Sequence, residues 1–327
     1  MIKNVFVTGG AGYVGSALVP KLLTEGYRVT VLDLMIYGKE VLKPHKNLKL
    51  IQGDIRDKNL LEKSLKNIDA IIHLACISND PSFELNKKLG RDINLNSFKP
   101  LIEITKKAKV KRFIYASSSS VYGIKSQKNV SEDTSLEPLT DYSRYKVECE
   151  KILFKYQDSN FTTVTIRPAT VCGYSPRQRL DLVVNILTNL AYHKRQITIF
   201  GGKQLRPNIH IDDMVEAYLL LLSCPNNKIA GKIFNVGFAN HTIGELADDV
   251  KNVIGNDVKL VFSKTDDNRS YHISSKRIKE ELGFVPKQNI KDAVRTLVIA
   301  FDKKLLTNPL ENEIYFNIKR MKSFNLK

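Results

Sequence analysis

Tyr142 and Lys146 stand four residues apart in the run Tyr142-Ser143-Arg144-Tyr145-Lys146. On a helix that spacing places both side chains on one face, one turn apart. A phenol has a pKa of about 10 and is a poor base at neutral pH, but a neighbouring ammonium favours the phenolate. Such a pair can move a proton to or from an alcohol. Some twenty residues earlier comes Tyr115-Ala116-Ser117-Ser118-Ser119-Ser120-Val121-Tyr122-Gly123, a strand with a serine-rich end. Hydroxyls at the C-terminal end of a parallel strand face the ligand crevice. Taken alone, each signal has a plain alternative: an exposed helix face for the first, a polar turn for the second.

The segment Val7-Thr8-Gly9-Gly10-Ala11-Gly12-Tyr13-Val14-Gly15 ends a strand and opens a helix. Its glycines suit a tight turn, a close approach of backbone to a pyrophosphate, and close packing of helix on strand. The helix N-terminus adds free N–H donors and a positive partial charge. The segment lies at the first strand–helix junction, and Asp33 closes the second strand about twenty residues on. A carboxylate there accepts hydrogen bonds from the adenosine ribose and repels a 2′-phosphate, which selects NAD over NADP. Asp54, after Gly53, stands either at the adenine edge or as a simple helix N-cap.

These residues need a frame that brings strand ends together. The first half alternates apolar, β-branched runs at 5–8, 28–33, 48–52, 70–74, 112–117 and 163–167 with helical stretches after Gly15, near 95–107 and over 142–155. That alternation predicts a parallel sheet covered on both faces. Beyond about residue 172 the pattern loosens, as expected of a smaller domain, and the polar, basic tail after Lys303 has no assigned place. A chain of 327 residues suits one large domain plus a smaller one. Its 43% hydrophobic and 26% charged residues are those of an ordinary globular protein.

The net charge of +17 is spread along the chain, with only short clusters such as Lys106-Lys107-Ala108-Lys109. It reads as a lysine-rich surface with a field that attracts anionic ligands, not as a nucleic-acid stripe. No apolar run is long enough for a bilayer, and no leader pattern follows Met1, so no membrane partner is expected. Four cysteines (Cys76, Cys149, Cys172, Cys224) form no C-x-x-C pair and read as reduced cytoplasmic thiols; no metal site is expected.

The ordered motifs strongly resemble the extended short-chain dehydrogenase/reductase family, in its nucleotide-sugar epimerase/dehydratase branch. They are the glycine loop, His73-Leu74-Ala75, Asn94, Ser118 with Val121-Tyr122-Gly123, the Tyr142/Lys146 pair and Arg167-Pro168. Further on come Arg206-Pro207-Asn208-Ile209-His210-Ile211-Asp212-Asp213, Phe234-Asn235-Val236-Gly237 and Leu282-Gly283-Phe284-Val285-Pro286. The resemblance covers roughly residues 1–300. It implies an α/β fold, a Rossmann doubly wound parallel sheet with a smaller C-terminal substrate domain. Residues 1–171 with roughly 206–240 would bind NAD; 172–205 and 241–327 would bind the nucleotide sugar.

It also implies roles. Tyr142 is the acid/base, Lys146 its partner on the nicotinamide ribose, and Ser118 the hydrogen-bond partner of the reacting hydroxyl at C4. Gly9, Gly12, Tyr13, Val14, Gly15, Asp33, Asp54, Ile55, Leu74 and Ala75 complete the cofactor set. Arg179, Asn185, Arg206 and Arg269 are substrate contacts, Arg206 on the diphosphate. His210 and Asp213 are expected to cap and pack the next helix. A homodimer is implied, with the helix of Tyr142 and the preceding long helix forming a four-helix bundle through apolar positions in 95–104 and 147–153.

Departures narrow the reaction. Sugar 4,6-dehydratases of the family carry Asp-Glu where this chain has Ser119 and Ser120. A hydroxyl is a poor base for a C5 proton, which disfavours dehydration. The family's asparagine after Arg-Pro is Thr170 here, and residues 173–185 resemble a subgroup that includes GDP-heptose C4 dehydrogenases. The expected activity is NAD-dependent oxidation at C4 of a nucleotide sugar, as an epimerase or C4 dehydrogenase. Reduction of a keto sugar by NADH is the alternative; a 4,6-dehydratase or a non-catalytic NAD-binding regulator follows behind.

Overall fold

The computed structural model describes residues 2–78, 80–127, 129–265 and 270–324. The first six strands are β1 (Asn4–Thr8), β2 (Arg28–Asp33), β3 (Leu48–Gln52), β4 (Ala70–His73), β5 (Arg112–Ala116) and β6 (Thr162–Pro168). β7 (Thr170–Cys172), β8 (Gln196–Phe200), β9 (Leu205–His210), β10 (Lys232–Val236), β11 (Ala239–Thr242) and β12 (Lys259–Ser263) follow.

Seven strands form one parallel sheet in the order β10-β6-β5-β4-β1-β2-β3. β1 pairs with β2 on one side and β4 on the other, so the strand order reverses there and leaves a crevice at the C-terminal ends. The central strands carry apolar side chains on both faces because helices cover both. One face packs Leu18, Val19 and Leu22 with Met214, Ala217 and Leu221; the other packs Phe98, Leu101 and Ile102 with Cys149 and Leu153. β9 lies outside this sheet, between β7 and β11, and β8 pairs with β12. Only residues 232–236 of the later segment return to the large sheet.

The helix Asp141–Phe154 starts at Thr140, whose hydroxyl accepts from the Ser143 amide. Before the helix Phe98–Lys107 the chain makes a π turn over Asp92–Asn96. There Asn94 holds the loop after β4, accepting from the Ile77 amide at 2.8 Å and donating to its carbonyl at 3.0 Å.

The apolar residues expected at a dimer interface face inward: Leu95, Phe98, Leu101, Ile102, Ile104, Val147 and Leu153 all lie in the chain's own core. Covering the sheet claims that stripe, and Lys99, Glu103, Glu148, Lys151 and Phe154 face outward. The basic tail forms the helix Asn317–Phe324 and returns to the large domain. Among the described residues no helix is long and apolar enough to cross a membrane.

Candidate active site

A cavity of about 480 Å³ opens at the C-terminal ends of β1, β4 and β5. Gly9, Gly12, Tyr13, Val14 and Gly15 line one wall. Gly9 turns at φ 72°, and a Cβ there would stand 2.7 Å from the Ala75 amide nitrogen, so only glycine fits the turn. A Cβ on Gly15 would meet Gly10 Cα at 2.5 Å, which explains the close packing of helix on strand. Gly12 caps the helix Tyr13–Thr24 without a side chain, leaving its first N–H groups free toward the cavity.

Asp33 stands at the end of β2, accepting from the Ala11 amide at 3.0 Å and the Met35 amide at 2.8 Å. Burial raises its carboxyl above the ordinary range despite these bonds. Ile55, Leu74 and Ala75 line the same cavity. Asp54 is there too, but its carboxylate is taken by Arg56, at 2.6 Å from Nη2. Burial pushes that carboxyl up, and Arg56 outweighs it and holds it below the usual range. The following helix is capped by Asp57, so Asp54 is not its N-cap and instead stands at the cavity paired with Arg56.

At the other end Tyr142, Lys146 and Ser118 converge. Lys146 Nζ lies 5.7 Å from the Tyr142 ring centroid and donates to the Ala116 carbonyl at 2.7 Å. Here one expectation is corrected: the Tyr142 phenol is pushed well above its ordinary range. Burial is the main cause; Cys76 and Asp80 add to it, and Arg179 and a hydrogen bond from Ser118 oppose it. Lys146 is occupied by a backbone carbonyl, and proximity alone does not offset desolvation.

Ser118 is anchored through a run of hydroxyls. Its Oγ lies 2.8 Å from Ser120 Oγ, Ser143 donates to Ser120 at 3.0 Å, and Thr140 meets Ser143 at 2.9 Å. Thr140 in turn donates to Asp80 at 2.5 Å. Ser120 therefore serves as an orienting link where dehydratases place a carboxylate. Beneath the site, buried His73 lies 2.7 Å from the Thr8 hydroxyl and is pushed down to about 3 by burial, with Lys146 adding to it. It is neutral at working pH.

The expected substrate contacts separate. Arg206 lines the cavity and stacks 5.2 Å from the Tyr271 ring centroid. Arg179 lines it too, held by Asp181 at 2.9 Å and Ser78 at 3.3 Å, with Nη2 buried and unpartnered. Asn185 is corrected: it is fully buried and bonds the Gly173 amide, the Tyr13 hydroxyl and the Arg179 carbonyl. Its amide is spent on holding the 173–182 loop. The Tyr13 hydroxyl donates to the Gly173 carbonyl at 2.7 Å, so only its ring wall faces the cavity. Arg269 lies outside the described residues. His210 caps the helix Ile211–Ser223, and Asp213 accepts from the Lys287 and Gln288 amides, so both serve the fold as expected.

Sequence reading missed Arg177, Tyr37, Asp181, Asn317 and Met321, all of which line the cavity. Arg177 stood in a recognised loop with no assigned role; Tyr37 and the tail residues carried no local signal. The residues present fit a dinucleotide. Free N–H groups at the helix start and the cationic Arg177 in the wall suit a pyrophosphate. Asp33 stands at one end and the Tyr142 pair at the other.

The profile of the NAD dependent epimerase/dehydratase family matches residues 5–237. A UDP-glucose 4-epimerase from Lactobacillus helveticus is 30% identical over 316 residues, covering 90% of this chain and 95% of that one. A dTDP-D-glucose 4,6-dehydratase from Homo sapiens is 28% identical over 318 residues, covering 90% and 89%. Among solved structures, MoeE5 in complex with UDP-glucuronic acid and NAD superposes with a TM-score of 0.81 at 26% identity, covering 92% and 99%.

Proposed function

Because the chain belongs to the NAD dependent epimerase/dehydratase family, and is thus an NAD-dependent enzyme, we propose that it oxidises C4 of a nucleotide-activated sugar, as an epimerase or C4 dehydrogenase. The observation that carries this reading is the meeting of Ser118, Tyr142 and Lys146 at one end of the cavity, with hydroxyls at Ser119 and Ser120. Tyr142 takes the proton of the C4 hydroxyl, and Ser118 holds the oxygen in line. Lys146 turns from the Ala116 carbonyl to the ribose of the cofactor. Bound beside them, NAD supplies the hydride acceptor. The free amides of Tyr13–Gly15 hold its pyrophosphate, and Asp33 its adenosine ribose. Arg206 and Arg179 bind the diphosphate of the sugar nucleotide.

Read in reverse, the same groups reduce a 4-keto sugar, with Tyr142 as acid. Dehydration needs a carboxylate beside Ser118. Ser119 is buried and Ser120 is engaged with Ser118 and Ser143, so neither supplies one. The body of the dinucleotide site lies in residues 1–171, while 206–240 lends Arg206 to the sugar nucleotide and 172–205 and 241–327 supply further wall residues such as Arg177, Arg179 and Asn317. A cytoplasmic setting fits the four unpaired thiols. The test is a panel of UDP-, GDP-, CDP- and dTDP-sugars, GDP-heptoses included because of the 173–185 loop. A C4 epimer or 4-keto sugar is expected; a 6-deoxy product with solvent deuterium at C5 would overturn the reading.

Asp33 should set cofactor choice. Its carboxylate faces the position of a 2′-phosphate, so calorimetry on stripped protein is expected to show NAD(H) bound more tightly than NADP(H). Equal affinities would contradict that role. We also propose a homodimer through the helices Phe98–Lys107 and Asp141–Phe154. Their outward faces mix Lys99, Glu103, Glu148 and Lys151, of both signs, around Phe154, which is 67% exposed. Light scattering at micromolar concentration should give twice the chain mass, and Phe154→Asp should give monomer.

A further inference from the structure

We propose that Asn317 and Arg177 form a clasp over the bound dinucleotide, with the helix Asn317–Phe324 as its latch. Asn317 is 3% exposed and joins three cavity-lining segments that are distant in the sequence. Its Oδ1 accepts from the Tyr37 hydroxyl at 3.0 Å, after β2, and from Arg177 Nη2 at 2.5 Å, in the 173–182 loop. Its Nδ2 donates to Ser78 Oγ at 3.0 Å, after β4, and its backbone N–H to Asp181 at 3.0 Å. One turn on, Arg320 Nε donates to the Ile36 carbonyl at 2.6 Å, while Met321 reaches the cavity and packs on its apolar side.

Arg177 supplies the second half. Its guanidinium is buried and lies 3.5 Å from the Tyr37 ring centroid, which fixes the plane of its fork. Asn317 uses one nitrogen, and Nε has no hydrogen-bond partner. A buried cation in a cavity wall is costly unless an anion meets it. The pyrophosphate is the anionic part of NAD, and a fixed guanidinium is suited to its oxygens. The Asn317 bonds hold Arg177 in that pose and tie the latch across the loops after β2 and β4. A dinucleotide seated beneath them leaves only after the helix lifts.

The proposal rests on the dinucleotide reading of the cavity and is independent of which sugar reacts. Two measurements on the full chain test it. In hydrogen–deuterium exchange, saturating NAD should slow amide exchange in residues 313–324 about ten-fold or more. In stopped-flow displacement, Asn317→Ala and Arg177→Lys should each release NAD about ten-fold faster, the effect of losing one charge-assisted hydrogen bond or its support. Melting curves identify variants that fold. Wild-type release from a folded variant, or a 313–324 segment that NAD leaves unprotected, overturns the clasp. Wild type that binds no NAD in calorimetry fails the cofactor reading itself, a separately visible result.

Discussion

Tyr142→Phe is expected to keep the fold and NAD binding and to lose hydride transfer by about a hundred- to ten-thousand-fold, the usual worth of a positioned acid–base group. The ring still packs in the cavity wall, so little stability is lost; the hydroxyl bonded to Ser118 goes. Rapid-quench turnover on a substrate from the nucleotide-sugar panel reads the effect. The wild-type pH profile carries the same signature. Burial raises the Tyr142 pKa, so the phenolate that the proposed oxidation needs is scarce at neutral pH. Oxidation should therefore quicken as pH rises. Reduction, which uses the protonated phenol, should hold steady and fall only at strongly alkaline pH. Near-normal turnover of Tyr142→Phe would move the chemistry elsewhere, with Tyr145 the first residue to examine.

Glu150→Ala should cost about 3–5 kcal/mol of stability, the range for removing one partner of a buried ion pair. Glu150 and Arg167 are 7% and 2% exposed. Arg167 grips the carboxylate with Nε at 3.0 Å and Nη2 at 2.7 Å. Its Nη1 reaches the Tyr122 hydroxyl at 2.8 Å, which donates to Asn235 at 2.7 Å. Ser117, beside Ser118, donates to the same carboxylate. Without Glu150 the guanidinium loses its carboxylate partner between the helix Asp141–Phe154 and β6. Urea unfolding measures the loss, and a change below about 1 kcal/mol would place the pair with weak surface bridges.

The parts legible in the sequence were those whose chemistry is local. A strand–turn–helix glycine loop, a carboxylate ending the next strand and two side chains one helical turn apart each announce their geometry through spacing. The structure gathers Gly9, Gly12, Asp33, Tyr142 and Lys146 around one cavity accordingly. What spacing does not carry is burial. Asn185 has the chemistry of a ligand contact, yet packing turns it into the brace of the 173–182 loop. The Tyr142 phenol was expected to be lowered by its neighbour, and desolvation moves it the other way. The apolar stripe of 95–104 was assigned to a dimer interface, and the chain's own core claims it. Asn317 was out of reach of local reading altogether: its partners Tyr37, Ser78 and Arg177 are brought to it only by the fold.

Transfer of a label from sugar to cofactor tests the central claim most directly. The nucleotide sugar that turns over is prepared with deuterium at C4, mixed with the NAD-loaded protein, and quenched at a series of times within a single turnover. The dinucleotide is then weighed by mass spectrometry. Oxidation at C4 predicts reduced cofactor carrying the deuterium, a gain of roughly one mass unit over the unlabelled control, in wild type and not in Tyr142→Phe. Reduced dinucleotide that forms within the turnover without the deuterium, or product formed with no reduced dinucleotide at any time point, would contradict the account; an epimerase returns the label to C4 only at the end of the turnover.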